Sequence, residues 1–410
     1  MKRRAFCTSM AMATLSVAYG PVMDALEATL PQASGHSKRA SVDVAAIDRD
    51  RVIRDAKRYL AEKPLTITAS HSDRTPGGLH DYFSEGDYWW PDPKNPTGPY
   101  IRRDGESNPD NFVAHREALI RLSVIVPALI VAWKLTGDKV YAAKAHEHVI
   151  AWFVDPGTKM NPNLQYAQAI KGITTGRGVG IIDTIHLVEV ARAMRVMKDS
   201  GVWASPNEYA GIQTWFKDYV RWMTTSKNGI EERDATNNHG SCWVMQVAAF
   251  ASLTDDREQM RFCADRFKNK LIPEQVATNG SLPLELARTK PYSYSLFDMD
   301  ILSTICQILS TESDSLWAFS TKDGRSMQKV IGYMEPFIAD KSNWPKPPDV
   351  EYFNDLPARQ PSLLFGGLAY GRADWISLWK RLNPEPTVVE IIRNFPIRQP
   401  VLWVSESVKH

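Results

Sequence analysis

The chain has 410 residues, 43% of them hydrophobic, and a formal net charge of +2. That length and apolar content allow a soluble globular protein with a large buried core, in one large domain or two ordinary ones. The near-neutral balance excludes nucleic-acid binding through overall charge, so a polyanionic ligand has to be met by a local basic cleft.

Residues 1–28 read as an export signal. Lys2, Arg3 and Arg4 form a positive start, Ala11 to Ala18 a small apolar run, and Gly20 or Ala28 a small-residue cleavage point. Pro21 disfavours cutting after Gly20, and the Arg3-Arg4 pair fits a twin-arginine signal as well as the general route. The expected location is therefore periplasmic or secreted; a disordered cytosolic tail is the competing reading. Residues 29–44 are expected to be a flexible linker, 45–400 the catalytic domain and 401–410 a tail. No later apolar run reaches about 18 residues uninterrupted, so no membrane span is expected. Cys7 would leave with the signal. Cys242, Cys263 and Cys306 are an odd set without metal-ligand spacing, and buried free thiols are the default, although one pair could bridge after export.

The body reads as helices. Apolar periodicity predicts them over 112–135, 140–153, 181–197, 208–223, 243–253, 257–271, 297–309, 327–339 and 361–379, with Gly137 and Gly201 just past helix ends. Strand-like alternation is scarce. Short links between successive helices imply antiparallel pairs, and the lack of a fixed repeat favours a closed ring of helical hairpins over a solenoid.

Two irregular segments interrupt the helices. Residues 75–111 carry Trp89 and Trp90, either as stacking walls for sugar rings or as core plugging one end of the ring. Residues 344–361 are proline-rich and expected to be a lid or a stiff connector. Between two apolar helices, 161–184 offers Gln165, Tyr166, Gln168, Lys171 and Arg177, suited to hydroxyls and carboxylates, with Gly176, Gly178 and Gly180 permitting close backbone approach. Those glycines do not form a nucleotide fingerprint, since no strand precedes them. His146 and His148 face different directions on a helix and make no zinc pair; a solvated face is expected.

The chemistry concentrates further on. Asn237, Asn238 and His239 stand before the apolar run 243–253, where an Asn cap and free N–H groups favour an anion such as a carboxylate. Taken alone, such a stretch is more often a plain cap beside a structural His. Downstream, Arg288, Tyr292 and Tyr294 lie within a few residues. A fixed cation, an amide, an imidazole and a phenol are the parts needed to remove a proton next to a carboxylate and expel a sugar oxygen. Glu285, Asp298 and Asp300 could instead be a glycosidase pair, or could support the loop, cap the next helix or orient Arg288. No G-x-S-x-G elbow supports a serine nucleophile.

Asn237-Asn238-His239, then Leu282-Pro283-Leu284-Glu285-Leu286-Ala287-Arg288 and Tyr294, resemble the alginate lyase superfamily of polysaccharide lyases. The segments 86–93, 161–172 and 176–184 are similar too, so the likeness covers most of the chain after about Tyr82. Ser293 stands where the alginate-specific branch tends to carry a second Tyr. The resemblance implies an all-α fold, a single (α/α) toroid with long loops forming the cleft, acting as a monomer on an anionic uronate polysaccharide or oligosaccharide. It implies syn β-elimination with Asn238, His239 and Arg288 on the carboxylate and Tyr294 as base and acid. His239 as base for an anti elimination ranks second. Gln165, Tyr166, Gln168, Arg177, Trp89, Trp90 and Tyr292 are the expected substrate-binding set. The Tyr294 pKa is expected to be lowered by Arg288 or His239. No metal, no cofactor and no nucleic acid enter this scheme. A glycoside hydrolase on a similar toroid and a non-catalytic polyuronate-binding protein are the alternatives.

Overall fold

The computed structural model describes residues 41–203 and 205–404. The expected signal, most of the linker and residues 405–410 lie outside that range.

In chain order the helices are α1 (Val44–Tyr59), α2 (Ala114–Thr136), α3 (Lys139–Phe153), α4 (Leu187–Asp199), α5 (Pro206–Thr225), α6 (Lys227–Arg233), α7 (Asn238–Thr254), α8 (Arg257–Arg266), α9 (Ile272–Gln275), α10 (Pro283–Leu286), α11 (Pro291–Leu309), α12 (Met327–Ala339), α13 (Pro361–Ala369), α14 (Ala373–Arg381), α15 (Val389–Arg393) and α16 (Val401–Val404). Helix α1 begins where the linker was expected to end. The predicted 361–379 helix breaks in two at Gly371, whose φ of 68° suits a residue without Cβ. The predicted 181–197 helix begins instead as a 3-10 stretch, Gly178–His186.

Packing sorts these helices into two layers. The inner series α2, α4, α7, α11 and α13 pack each against the next, while α1 and α3 flank α2, α5 and α8 flank α7, and α12 and α14 flank α13. Sequence character follows position. Almost all of α7 is buried, from Asn238 to Thr254, whereas α8 buries only Cys263. A helix apolar all round needs neighbours all round, and an amphipathic one suits the outer ring. The result is the (α/α) toroid. Helix α2 departs from the expectation that no segment would pass for a membrane span. Its 23 residues are long and apolar enough to cross a bilayer, yet they pack against α1, α3 and α4.

The expected tail is also partly core. Val401, Leu402 and Trp403 are buried, and α16 packs on α1, α2 and α4. Glu189 of α4 anchors that segment, accepting from the N–H groups of Arg398 and Gln399 and from Trp403 Nε1 at 2.8–3.0 Å. Cys242, Cys263 and Cys306 are buried free thiols. His148 contradicts the solvated-face reading: it is buried, and His146 bonds Glu208 and packs edge-on to Trp203.

Two small sheets shape the mouth of the toroid. Strands β1 (Phe83–Glu85) and β4 (Tyr166–Ala169) pair in parallel; β2 (Trp89–Trp90) and β3 (Ile101–Arg102) form an antiparallel ribbon with Trp89 opposite Arg102. The β1–β4 pair joins the 75–111 and 161–184 segments to each other.

Candidate active site

A cleft of about 300 Å³ lies at that mouth, lined by Tyr88, Trp89, Arg102, Gln168, Arg177, Asn238, His239, Arg288, Tyr294 and Arg393 among others. All four expected catalytic residues therefore meet there, with three of the expected binding residues, Trp89, Gln168 and Arg177.

Asn238 and His239 occupy the first turn of α7. The preceding Asn237 is extended, but its side chain caps nothing. The cap comes from α10 instead. Glu285 accepts from the Asn238 backbone N–H at 2.8 Å and from Asn238 Nδ2 at 2.6 Å. The anion at this helix end is thus the protein's own carboxylate, which corrects the expectation of an open N-terminus awaiting substrate. Glu285 fixes the Asn238 amide and leaves its second Nδ2 hydrogen for the cleft. His239 is held similarly, its Nδ1 lying 2.8 Å from Oε1 of the buried Glu232 in α6.

Arg288 follows α10 directly. Its Nε and Nη2 both donate to Asp104, at 3.2 and 2.9 Å, and Nη2 also lies 3.3 Å from the Tyr294 hydroxyl. Burial alone would raise the Asp104 pKa, but the bonds from Arg288, with Arg102 and Thr289 nearby, bring it down to about 2. The doubled face of the guanidinium is therefore spent within the protein, and Nη1 is left for a ligand.

Tyr294 stands in the first turn of α11. Asp349 receives the N–H groups of Tyr292 and Ser293 at 2.9 and 2.8 Å, so residues 344–361 brace the helix start and contribute nothing to the cleft lining, unlike a lid. The Tyr294 hydroxyl is 2.9 Å from that of Tyr88. Burial pushes the Tyr294 pKa up to about 12, with Arg288 and Tyr88 pulling against it. This overturns the expected lowering, because desolvation of a buried phenolate outweighs one neighbouring cation already paired with Asp104.

Four expected binding residues lie elsewhere. Tyr292 is two positions from Tyr294 and so faces the other side of the helix. It is fully buried against Trp344 and Phe353 and donates to the Phe337 carbonyl. Trp90 alternates away from Trp89 on its strand, donates to the Glu106 carbonyl and lies under Arg103. Tyr166 packs across Gly77, and Gln165 is exposed. The remaining pair is tightly built: Arg177 donates to the Gln168 carbonyl and to its Oε1 at 3.0 and 2.9 Å, beside the Trp89 ring. The glycines serve this fit. A Cβ on Gly180 would lie 2.6 Å from Ala167, so glycine lets the 3-10 stretch lie on β4.

Sequence reasoning missed Asp104, Glu232 and Arg393, and left Glu285 open between a glycosidase carboxyl, a support for its loop, a helix cap and a partner for Arg288; it caps α7. Tyr88 adjoins a tryptophan already singled out, but nothing local marks Arg393. It reaches the site because Asp87 ties it, at 2.5 Å, to a buried ion cluster with Arg116. Asp298 and Asp300 are buried, and Asp300 accepts from the Ser362 N–H at the start of α13. Among the described residues lining the cleft, Asp87 is the only carboxylate.

A helical toroid that gathers amide, imidazole and guanidinium around one phenol defines a polysaccharide lyase. The chain belongs to the alginate lyase family, whose model, described as alginate lyase, matches residues 66–344. Among solved structures, an alginate lyase from Bacteroides ovatus is 31% identical, with a TM-score of 0.77 over 90% of this chain and 96% of that one. An alginate lyase from Sphingomonas species A1 is similar in fold, at 15% identity and a TM-score of 0.51 over 87% and 95% of the two chains. A histidine-to-alanine variant described as complexed with a tetrasaccharide gives 17%, 0.55, 90% and 95%. No curated protein matches the sequence.

Proposed function

We propose that this enzyme cleaves a 1,4-linked uronic-acid polymer, polymannuronate or β-1,4-glucuronan, by syn β-elimination, leaving an unsaturated uronate at the new non-reducing end. The observation that carries this is the Tyr294 hydroxyl 3.3 Å from Arg288 Nη2, in one cleft with Asn238 and His239. The C5 proton is weakly acidic while the adjacent carboxylate keeps its charge. Asn238, His239 and Arg288 hydrogen-bond and neutralise that carboxylate, stabilising the enolate-like intermediate. Tyr294 takes the C5 proton and returns one to the departing O4, which requires both on the same face of the sugar, as in mannuronate and glucuronate. A hydrolase needs two free carboxyl groups across the bond; Asp87, tied to Arg116 and Arg393, supplies neither role.

Mannuronate and glucuronate differ at C2, away from the reacting atoms. Their discrimination falls to Gln168, Arg177 and Trp89, and Arg177 makes no ion pair among the described residues, which suits a second uronate carboxylate. The alginate lyase identity of the Bacteroides ovatus relative supports the mannuronate arm. The start of the chain, with its basic residues and short apolar run, supports action outside the cytoplasm. Ultraviolet absorbance of the conjugated product, followed on purified polymannuronate, polyguluronate and β-1,4-glucuronan, tests the reading. Activity is expected on one of the first and last. A clear preference for polyguluronate overturns the syn mechanism and the double role of Tyr294.

A further inference from the structure

Gln168 stands in the cleft wall against the preference of its own backbone. Phe83 pairs with Tyr166 and Glu85 with Ala169, so between the same two pairings β4 carries one residue more than β1. A bulge of this kind re-aims a side chain. Gln168 takes it up at φ 50°, in the left-handed region where a residue with a Cβ is strained. Such a conformation persists only where its surroundings over-determine it.

All four polar groups of Gln168 are held. Its N–H donates to Ser84 Oγ at 2.9 Å, its carbonyl accepts from Arg177 Nε at 3.0 Å, its Oε1 accepts from Arg177 Nη2 at 2.9 Å, and its Nε2 donates to Asp183 Oδ1 at 3.4 Å. Asp183 is buried in the 3-10 stretch and does not line the cleft. Its Oδ2 accepts from Ser84 Oγ at 2.5 Å and from the Tyr82 hydroxyl at 3.2 Å. The main chain of Gln168 thus reaches Asp183 through the Ser84 hydroxyl, and its side chain reaches Asp183 directly.

The inventory of donors decides what this part of the cleft can hold. A guanidinium only donates, so Oε1 is the end of the amide that faces Arg177, and the amide cannot be reversed. One Nε2 hydrogen and Arg177 Nη1 are left for the cleft, and both donate. A carboxylate satisfies two donors at once, whereas a hydroxyl has its own proton left to place.

We propose that Asp183 is a positioning residue: with Ser84 it locks Gln168 in the strained bulge, so that Gln168 and Arg177 form one preset clamp for the carboxylate of the uronate next to the reacting sugar. The proposal rests on the uronate lyase reading above and names the ligand of a part of the cleft away from the reacting atoms. A clamp so placed holds ground state and transition state alike, and its loss shows in KM rather than in kcat.

Asp183→Asn keeps the size of the side chain, but an amide accepts on one oxygen only, so one side of the hold is given up. On the polymer that wild type cleaves fastest, KM should rise about tenfold, the worth of a hydrogen bond to a charged group, with kcat within about twofold of wild type. Gln168→Gly removes the clamp by itself. Adding Asp183→Asn to it should raise KM no further, whereas a merely structural Asp183 would raise it again. Calorimetry in a Tyr294→Phe background, where turnover is blocked, reads the ligand with uronate trisaccharides, intact or with one terminal carboxyl group reduced to the alcohol. The background enzyme should prefer the intact trisaccharide over one of the two reduced forms by about tenfold, and Asp183→Asn should lose that preference. If Asp183→Asn does not fold, Ser84→Ala, which cuts the main-chain link, should raise KM in the same sense and again add nothing to Gln168→Gly. Wild type inactive on every uronate polymer would sink the functional reading alone, and the trisaccharide affinities would then decide the proposal. An unchanged KM in Asp183→Asn, a further rise in the Gln168→Gly background, or equal affinity for the intact and both reduced trisaccharides overturns it.

Discussion

Replacing Tyr294 by Phe removes one hydroxyl and little else. The ring should stay in place, with the Arg288 guanidinium 4.3 Å from its centroid, so polymer affinity should remain within a few-fold of wild type. Catalysis should not. The hydroxyl is asked to be both base and acid, and general acid–base groups each contribute about 10²–10⁴-fold; losing both roles should lower kcat at least about 10³-fold, or about 4 kcal/mol. The wild-type pH dependence carries a second mark of the same group. Burial pushes its pKa up to about 12, so forming the phenolate at about pH 8 costs about 5 kcal/mol at 1.36 kcal/mol per unit. A raised phenol is ionised only as pH climbs toward that value. The rate of wild type should therefore rise by up to tenfold per pH unit through the neutral range. Initial rates from product absorbance, paired with calorimetric binding of a uronate oligosaccharide, read both effects. A Tyr294→Phe enzyme within tenfold of wild type would show that Tyr88, 2.9 Å away, or His239 is the base.

Arg288→Lys keeps the charge but cannot reproduce the paired Nε and Nη2 contacts to Asp104; kcat/KM should fall more than tenfold, about 1.4 kcal/mol, and wild-type rates would mean that this geometry is dispensable. Tyr292→Phe should leave kcat and KM unchanged while lowering stability in urea by about 1 kcal/mol, the worth of its hydrogen bond to the Phe337 carbonyl. A fall in kcat there would return Tyr292 to the cleft.

Much of the reaction centre was legible because its parts sit close together along the chain. Asn238 and His239 are neighbours, and Arg288 and Tyr294 are separated by one helix start; helical periodicity and short links made the toroid readable for similar reasons. The sequence by itself determined which groups could do the chemistry and that helices would carry them. Tertiary structure alone decided how those groups are held. Asp104 reaches Arg288 across 184 positions, Glu285 reaches Asn238 across 47, and Arg393 joins Asp87 across 306. Partners of that kind leave no local pattern, since a carboxylate in a loop looks the same in sequence whether it is solvated or clamped to a guanidinium. The same limit reversed two expectations. Helix α7 has its own anion in Glu285, and Tyr294 is pushed up in pKa, because burial and pairing are properties of the packed site and are absent from the order of residues.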